Sequence, residues 1–542
     1  MGDGSLSWGR LALYFVFLSA LYILTASGRI CPGDEETMYR VTRNLVERGD
    51  IAIERELLRV EGQSWPGLLP CKSYTMPTNY ASPGVGGRFY SKYGLGQSLF
   101  SIPLYLIGKG LTHVPGTYLN SQYLSKLCVA MLNPFFTAAT CALLLAFCSA
   151  LGLSPGTGLV LSLGYGFSSM AWAYTKNFFS EPAAAFFLLA TAYALYRLRA
   201  DPPAGFWALW AGAALGLAVL FRTTALMTVP FFAAYLFFAW PRSWRLCLAF
   251  AGPLVLAVAL VLLHNFARFG SVLESGYTEV AWDLPFFAGL YGLLFSPGKS
   301  FFLYNPAAFI ALGGMISFYV RHRAEAILFA SIAAAYVAFH APYNFWSGGW
   351  NWGPRFLLPI TPLLFVSIGF LLEGERARLA RILLALLLAF GLFIQIPAIL
   401  IDHSRYLVAL SEKYPEDFYG RTIYQMELSP VLRQWPVALE AMSLFAEREY
   451  RQEIKSLLAE RWKEAAGEDP LGDAVSDVLL WQNEIFRLNV PDFWWVHLYL
   501  LGVPPGQVAL FLVPLLAIMA GAAAWPLWRV VGAVKLAIHR FL

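Results

Sequence analysis

The chain has 542 residues, of which 58% are hydrophobic, 16% aromatic and only 13% charged, and its mean hydropathy is +0.56. Soluble domains carry about a quarter charged residues, so this composition excludes an ordinary soluble protein and indicates an integral membrane protein. The net charge of +5 is modest, and the basic residues lie beside apolar segments rather than in blocks, which argues against a nucleic-acid partner.

Apolar segments long enough to cross a bilayer follow one another along the chain. A spanning helix needs about 20 mostly apolar residues. By that rule the sequence predicts an all-α protein of about 12 transmembrane helices, near residues 9–27, 122–148, 155–174, 181–198, 205–221, 223–240, 245–264, 301–320, 324–342, 355–373, 379–402 and 507–528. The segment 97–111 is shorter and contains Pro103 and Lys109, so we predict a helix lying at the membrane interface.

Basic residues set the orientation of this bundle. With a cytoplasmic N-terminus, the basic clusters fall on five consecutive inner segments, as the positive-inside rule requires, whereas a thirteenth span at 97–111 would turn them outward. These residues are Arg197, Arg199, Arg242, Arg245, Arg321, Arg323, Arg376, Arg378, Arg381, Arg529, Lys535 and Arg540. A cleaved signal peptide is the alternative for the first apolar segment, but no small-x-small site directly precedes Cys31.

Three units follow from this topology. Residues 1–402 are predicted to form a membrane-embedded unit with a large first outer loop at 28–121. Residues 403–505 have the composition of a soluble protein, which predicts a mostly helical extracytoplasmic domain. Residues 506–542 contain the last predicted span and a basic cytoplasmic tail. Cys31 and Cys71 share the first outer loop, where a disulfide is permitted, and whether they are bridged stays open. No cysteine spacing indicates a zinc site.

The first outer loop begins with three adjacent acids, Asp34, Glu35 and Glu36, at the start of a helix that Gly49 ends. One interpretation of Asp34 is a helix N-cap, with the other two acids stabilised by the positive helix end. A second interpretation includes Glu181, which stands at the outer start of another span. Carboxylates from two outer helix ends can face one cavity and form a general-base or metal site.

Cations occupy the same predicted face of the membrane. Any one of them is more commonly an interface anchor, and Arg268 has the setting of such an anchor. Arg355 is more suggestive of a binding role, because the glycines and Pro354 of the turn 348–354 would aim its guanidinium, a group that suits phosphate. The candidate residues on this face are Arg88, Lys92, Tyr93, Arg222, His264, Lys299 and Arg355.

These motifs together resemble the membrane glycosyltransferases of the GT-C superfamily. The resemblance lies in "GDE…Y" after the first span, the short interface helix, "SEP" at 180–182 and "GGWNWGPRF" at 348–356. It is greatest to bacterial family-39-type proteins, relatives of protein mannosyltransferases and of lipid A aminoarabinose transferases. It covers residues 1–402 and implies a bacterial inner membrane, with the active site on the outer face.

The resemblance implies an inverting transfer of a sugar from a polyprenyl-phosphate donor to a hydroxyl of an acceptor glycan, lipid or protein, within membrane lipids and without nucleic acid. It assigns the general base to Asp34, with Glu35 as its neighbour, and puts Glu181 in the place of a second acid that is often Asp. Cations would hold the leaving phosphate, and the candidates in order are Arg88, Lys92, Arg222 and Arg355. Some relatives use a divalent metal, and no residue pattern here indicates one.

A secondary transporter or lipid flippase is the alternative from another class. Such proteins also have about twelve spans, but they place ionisable groups or broken helices near the middle of the membrane. Here the predicted span interiors are nearly free of charge and the charges lie on one face. The pattern therefore favours the transferase.

Overall fold

The computed structural model describes most of the chain and is almost entirely helical. The described residues are 7–31, 33–53, 81–113, 119, 121–200, 205–240, 243–277, 281–374, 377–468 and 488–524. Cys71 lies outside them, so the bridge to Cys31 stays a prediction.

Each of the twelve predicted apolar segments contains helix. Their bounds are Trp8–Leu24, Ser121–Val129 with Leu132–Ala150, Pro155–Ser168 with Ala171–Tyr174, Glu181–Ala200, Gly205–Phe221, Thr223–Ala239, Trp244–Phe269, Phe301–Tyr304 with Ala308–Arg321, Arg323–His340, Arg355–Leu372, Arg378–Leu400 and Pro505–Ala524. Six described helices are long and apolar enough to cross a membrane. The chain is an integral membrane protein, and the number of spans stays a prediction.

Two of these helices are broken where they meet inside the bundle. Pro306 interrupts one helix, and the side chain of the preceding Asn305 accepts a hydrogen bond of 3.1 Å from the backbone N–H of Met170, at the break in the other. Asn305 is fully buried and also donates to the carbonyl of Phe301 at 2.9 Å. Because backbone groups freed within a membrane must be satisfied by protein, this pairing makes both breaks tolerable.

The first outer loop is built on a helix and a small sheet. The first-loop helix, Asp34–Arg48, ends at Gly49 in the left-handed conformation, as the sequence predicts. Strands Ala52–Ile53, Ala81–Pro83 and Phe89–Ser91 form an antiparallel sheet with the third strand in the centre, which the sequence did not indicate. The predicted interface segment is the helix Leu95–Leu111, which packs against the first-loop helix.

The remaining described helices lie in the loop 265–300 and in the segment 403–505. Phe286–Phe295 is apolar and was not predicted, because ten residues are too few for a span. The segment 403–505 contains Ser404–Lys413, Phe418–Tyr424, Pro430–Ala446, Arg448–Glu468 and Trp494–Leu500. Short 3-10 turns complete the description at Val85–Gly87 and Met426–Leu428.

Candidate active site

Asp34 stands at the positive end of the first-loop helix. Gly33, with φ of +100°, is the N-cap, and Asp34 is the first helical residue. Its carboxylate makes no capping bond and instead accepts from the hydroxyl of Tyr93 and, at 3.0 Å, from Nη2 of Arg355. The interpretation of Asp34 as an N-cap is therefore wrong, because a glycine fills that position and the side chain points to partners across the loop.

The turn before Arg355 holds that side chain in place. Gly348 has φ of +71°, which favours glycine, and a Cβ atom there would lie 3.0 Å from the Arg355 side chain and press against it. The ammonium of Lys299 donates to the carbonyls of Gly349 at 2.9 Å and of Asn351. Burial, with the nearby charge of Arg355, lowers the pKa of Lys299 to about 7. Lys299 therefore stabilises the turn by donating hydrogen bonds to the carbonyl oxygens of the turn.

Glu181 brings a second arginine to the same place. It is the first residue of the helix Glu181–Ala200, and its Oε1 accepts from Nη1 of Arg222 at 2.8 Å and lies 3.6 Å from Nε of Arg355. One carboxylate oxygen therefore stands between two guanidinium groups. Together Asp34, Glu181, Arg222 and Arg355 form what we call the open cluster.

Two phenylalanines that sequence reasoning missed support the guanidinium groups. The ring of Phe356 lies 5.0 Å from the Cζ atoms of both Arg222 and Arg355, and the ring of Phe179 lies 4.6 Å from Cζ of Arg355. Cation–π contact stabilises a positive charge without neutralising it, which leaves each arginine able to bind an anion. In the sequence, only the position of Phe356 next to Arg355 and of Phe179 two residues before Glu181 could have indicated that these rings contact the arginines.

The open cluster contains buried polar atoms that make no hydrogen bond in the described structure. These atoms are Oε2 of Glu181 and the Nε atoms of Arg222 and Arg355. The side chains of Asp34 and Arg222 are 16% and 17% exposed, against 1% for Glu181, so the cluster is reached from their side. A ligand with an anionic group for the arginines and a hydrogen-bond donor for Glu181 would satisfy all three atoms.

Glu35 and Glu36 point away from the open cluster. Glu35 is buried and accepts from the N–H of Cys31 at 3.1 Å and from the amide of Asn177 at 3.2 Å. Burial raises the pKa of Glu35 to about 7, although these hydrogen bonds lower it. Glu36 pairs with Arg40 and Lys126 inside the bundle. Glu35 therefore links the first loop to the segment before Glu181.

The other predicted cations have different fates. Arg88 is half exposed and pairs with Asp50, outside the open cluster, while Lys92 lies 5.3 Å from the ring of Tyr277, which contacts Tyr93 edge-on. The interpretation of Arg268 as an interface anchor is wrong, because it is buried and donates to the carbonyls of the loop that carries Tyr93.

Two further observations concern Tyr93 and His264. Burial, and then the Asp34 carboxylate, raise the pKa of Tyr93 well above its usual value, so its hydroxyl stays a donor. Both ring nitrogens of His264 are buried without a partner in the described structure, and none of its described contacts reaches the open cluster.

The residues present do not fit a metal site. No group of three or more histidine, cysteine or acidic side chains comes together in the part of the chain that the structure describes. The two carboxylates of the open cluster each face an arginine, and a divalent cation there would meet two guanidinium charges.

Comparison with known proteins gives a distant structural likeness. No family model matches the chain, and no curated protein matches it. Two solved structures of ArnT from Cupriavidus metallidurans are similar, one bound to undecaprenyl phosphate and one in the apo state. Both are 13% identical to this chain in sequence. The match to the bound structure has a TM-score of 0.42 and covers 91% of this chain and 76% of that one. The match to the apo structure has a TM-score of 0.41 and covers 90% of this chain and 75% of that one.

ArnT is a lipid A aminoarabinose transferase with the GT-C fold. Because both TM-scores are below 0.5, the function proposed below rests on the residues of this chain.

Proposed function

We propose that this protein is an inverting glycosyltransferase that moves a sugar from a polyprenyl-phosphate donor to an acceptor hydroxyl at the outer face of the membrane. The observation that carries the proposal is the open cluster, where the buried Arg355 and the partly exposed Arg222 each have an Nε–H without a hydrogen-bond partner and lie beside the partly exposed carboxylate of Asp34. A phosphate site next to a base is what such a transfer needs.

The arginines hold the phosphate of the donor. Arg222 and Arg355 are kept close by Glu181 and by the shared ring of Phe356, so both guanidinium groups already lie where one anion can contact them. Guanidinium groups bind phosphate oxygens in pairs. As the bond between the anomeric carbon and the phosphate oxygen breaks, its electron pair goes to the phosphate, and the two arginines stabilise the added charge.

Asp34 takes the proton of the acceptor. The hydroxyl oxygen forms the new bond to the anomeric carbon while its proton passes to the Asp34 carboxylate. After the products have left, the Asp34 carboxyl releases this proton to water. A phosphate bound to Arg355 replaces the carboxylate as that arginine's partner, and Asp34 keeps its hydrogen bond from Tyr93. The base is thereby oriented and free to face the acceptor.

The substitution Asp34→Asn tests this assignment. Asparagine preserves the size of the side chain but takes no proton, and Gly33 rather than Asp34 caps the helix, so folding should persist. Loss of a general base costs about 10²–10⁴-fold in rate. We expect transfer at least about a hundredfold slower, with affinity for undecaprenyl phosphate nearly unchanged.

The measurement is label transfer by purified protein from sugar-labelled undecaprenyl phosphates to extracted glycan, lipid and protein acceptors. Asp50→Asn is the control, since Asp50 pairs with Arg88 outside the open cluster. Near-normal turnover by Asp34→Asn would move the base to Glu35 or Glu181. Movement of the intact lipid across vesicles without label transfer would favour a flippase.

A further inference from the structure

A second buried group of charges lies beside the site and has no part in the chemistry proposed above. Arg29 donates to Asp402 at 2.6 Å and to Asp492 at 2.8 Å, and the ammonium of Lys176 lies 2.9 Å from the other oxygen of Asp492. Their side chains are at most 10% exposed. Two cations and two anions balance, and we call these four residues the closed cluster.

The two cations of the closed cluster each precede a member of the open cluster. Arg29 lies five positions before Asp34, and Lys176 lies five positions before Glu181. Asp492 accepts from both, so one carboxylate joins the two segments that carry the site's carboxylates. The bond from Asn177 to Glu35 at 3.2 Å is a further link between the same segments.

The backbone around Asp492 is itself fixed from several sides. The N–H of Asp492 donates to the carbonyl of Leu400 at 2.8 Å, and the N–H of Trp494 donates to Ala26 at 3.0 Å. Gly28, with φ of +65°, allows close approach, because a Cβ there would lie 2.6 Å from Cβ of Trp494. Asp492 therefore reaches both segments from a rigid position in the extracytoplasmic domain.

We infer that Asp492 is a positioning residue for the transfer, and that the extracytoplasmic domain sets the spacing between Asp34 and the Glu181–Arg222 pair through it. The inference rests on the proposed function. Reacting groups displaced by about 1 Å can lose on the order of a hundredfold in rate. Binding of the phosphate alone depends less on this spacing, because Glu181 and Phe356 hold the two arginines.

The test compares Asp492→Asn with the loss of another buried carboxylate, Glu325, whose partner Arg199 is half exposed. Glu325 is 3% exposed and pairs with Arg199 at 2.9 Å, at the start of the helix Arg323–His340. The ring of His340, at the other end, stacks on Phe356 at 5.1 Å. At about 1.5 Å per residue, Glu325 lies about 25 Å from the site. Glu325→Gln is therefore a control that removes a buried charge interaction and lowers stability without changing the site.

Two readouts on the full-length protein in detergent decide the question. Asp492→Asn should lower kcat at least about tenfold, while KM for the labelled donor changes less than about twofold. The same substitution should make amide hydrogen exchange faster in residues 27–36 and 175–181. Glu325→Gln should speed exchange only near its own helix end and leave kcat unchanged. If Asp492→Asn does not fold, Lys176→Gln, which removes one arm of the same bridge, takes its place.

Each outcome has one meaning. Unchanged exchange in both segments overturns the inference whatever the activity, and so does faster exchange with a normal kcat. If the wild-type protein transfers no sugar but exchange in both segments still rises, the proposed function fails while the coupling of the segments stands. Faster exchange with a lowered kcat and a steady KM supports the inference.

Discussion

The open and closed clusters have the same composition and differ in how completely they are paired. Each contains two cations and two carboxylates in buried or half-buried positions. Among the described residues, no buried side-chain atom of the closed cluster lacks a partner, whereas three such atoms do in the open cluster. An unpartnered buried polar atom costs about 1–3 kcal/mol. In this comparison the fully paired group joins segments of the chain, and the incompletely paired group is the one that we propose binds a ligand.

The largest effect that this comparison predicts is a loss of stability when one charged side chain of the closed cluster is removed. Arg29→Met leaves the buried carboxylates of Asp402 and Asp492 without their shared guanidinium group, and breaking such a pair costs about 3–5 kcal/mol. Arg222→Met should cost clearly less, because Arg355 stays 3.6 Å from the same Glu181 oxygen. Thermal unfolding of both variants in one detergent measures this. Equal losses would show that the two clusters are alike in structural role.

Glu35 lies between the two clusters and should give stability a dependence on pH. Its pKa is about 7 in the folded protein, against an ordinary 4.5, so between these values the folded chain holds a proton that the unfolded chain has released. Stability from this group is full below pH 4.5 and falls as pH rises to 7, by about 3 kcal/mol at about 1.4 kcal/mol per unit.

Glu35→Gln should abolish that fall, because glutamine does not ionise. Unfolding temperatures at about pH 5 and pH 8 measure it. Glu47→Gln is the control on the same helix. There the hydrogen bond from Tyr105 and the charge of Lys109 lower the pKa in spite of burial, so the Glu47 contribution is lost as pH falls and has the opposite sign. A wild-type fall that survives in Glu35→Gln would assign it to another group.

The smallest predicted effect concerns ligand affinity in the open cluster. Arg355→Ala removes a charged donor worth about 1.5–3 kcal/mol, so binding of undecaprenyl phosphate should weaken about 10- to 150-fold. Arg88→Ala is the control, because Arg88 is half exposed and pairs with Asp50. Titration of the detergent-solubilised protein with the lipid measures both. If Arg88→Ala weakens binding as much, the phosphate lies near the small sheet and not at the open cluster.

The sequence predicted the parts of this architecture that local rules determine. Apolar length located the helices, and the acids, Arg48 and Gly49 of the first loop gave the bounds of its helix. The glycine turn predicted that its own residues position Arg355, and Gly348 does lie against that side chain, while a binding role for Arg355 stays a prediction. In each case the controlling residues are neighbours along the chain.

Pairings between distant residues were not predictable in the same way. Arg29 and Asp492 are 463 positions apart, and nothing local to either indicates the other. Arg88 and Lys299 matched the expected residue type for phosphate, but Asp50 and the carbonyls of the turn are their partners. A cation in an outer loop has many possible partners, and tertiary packing selects among them.

The long separation of Arg29 and Asp492 has a consequence for biogenesis. Synthesis at about 5–20 residues per second makes Asp492 roughly 20 to 90 seconds after Arg29. Until then Arg29, and Lys176 once it has been made, lack the carboxylate that joins them. In a chain truncated before residue 492, the segments that carry Arg29 and Lys176 would never be joined by this carboxylate.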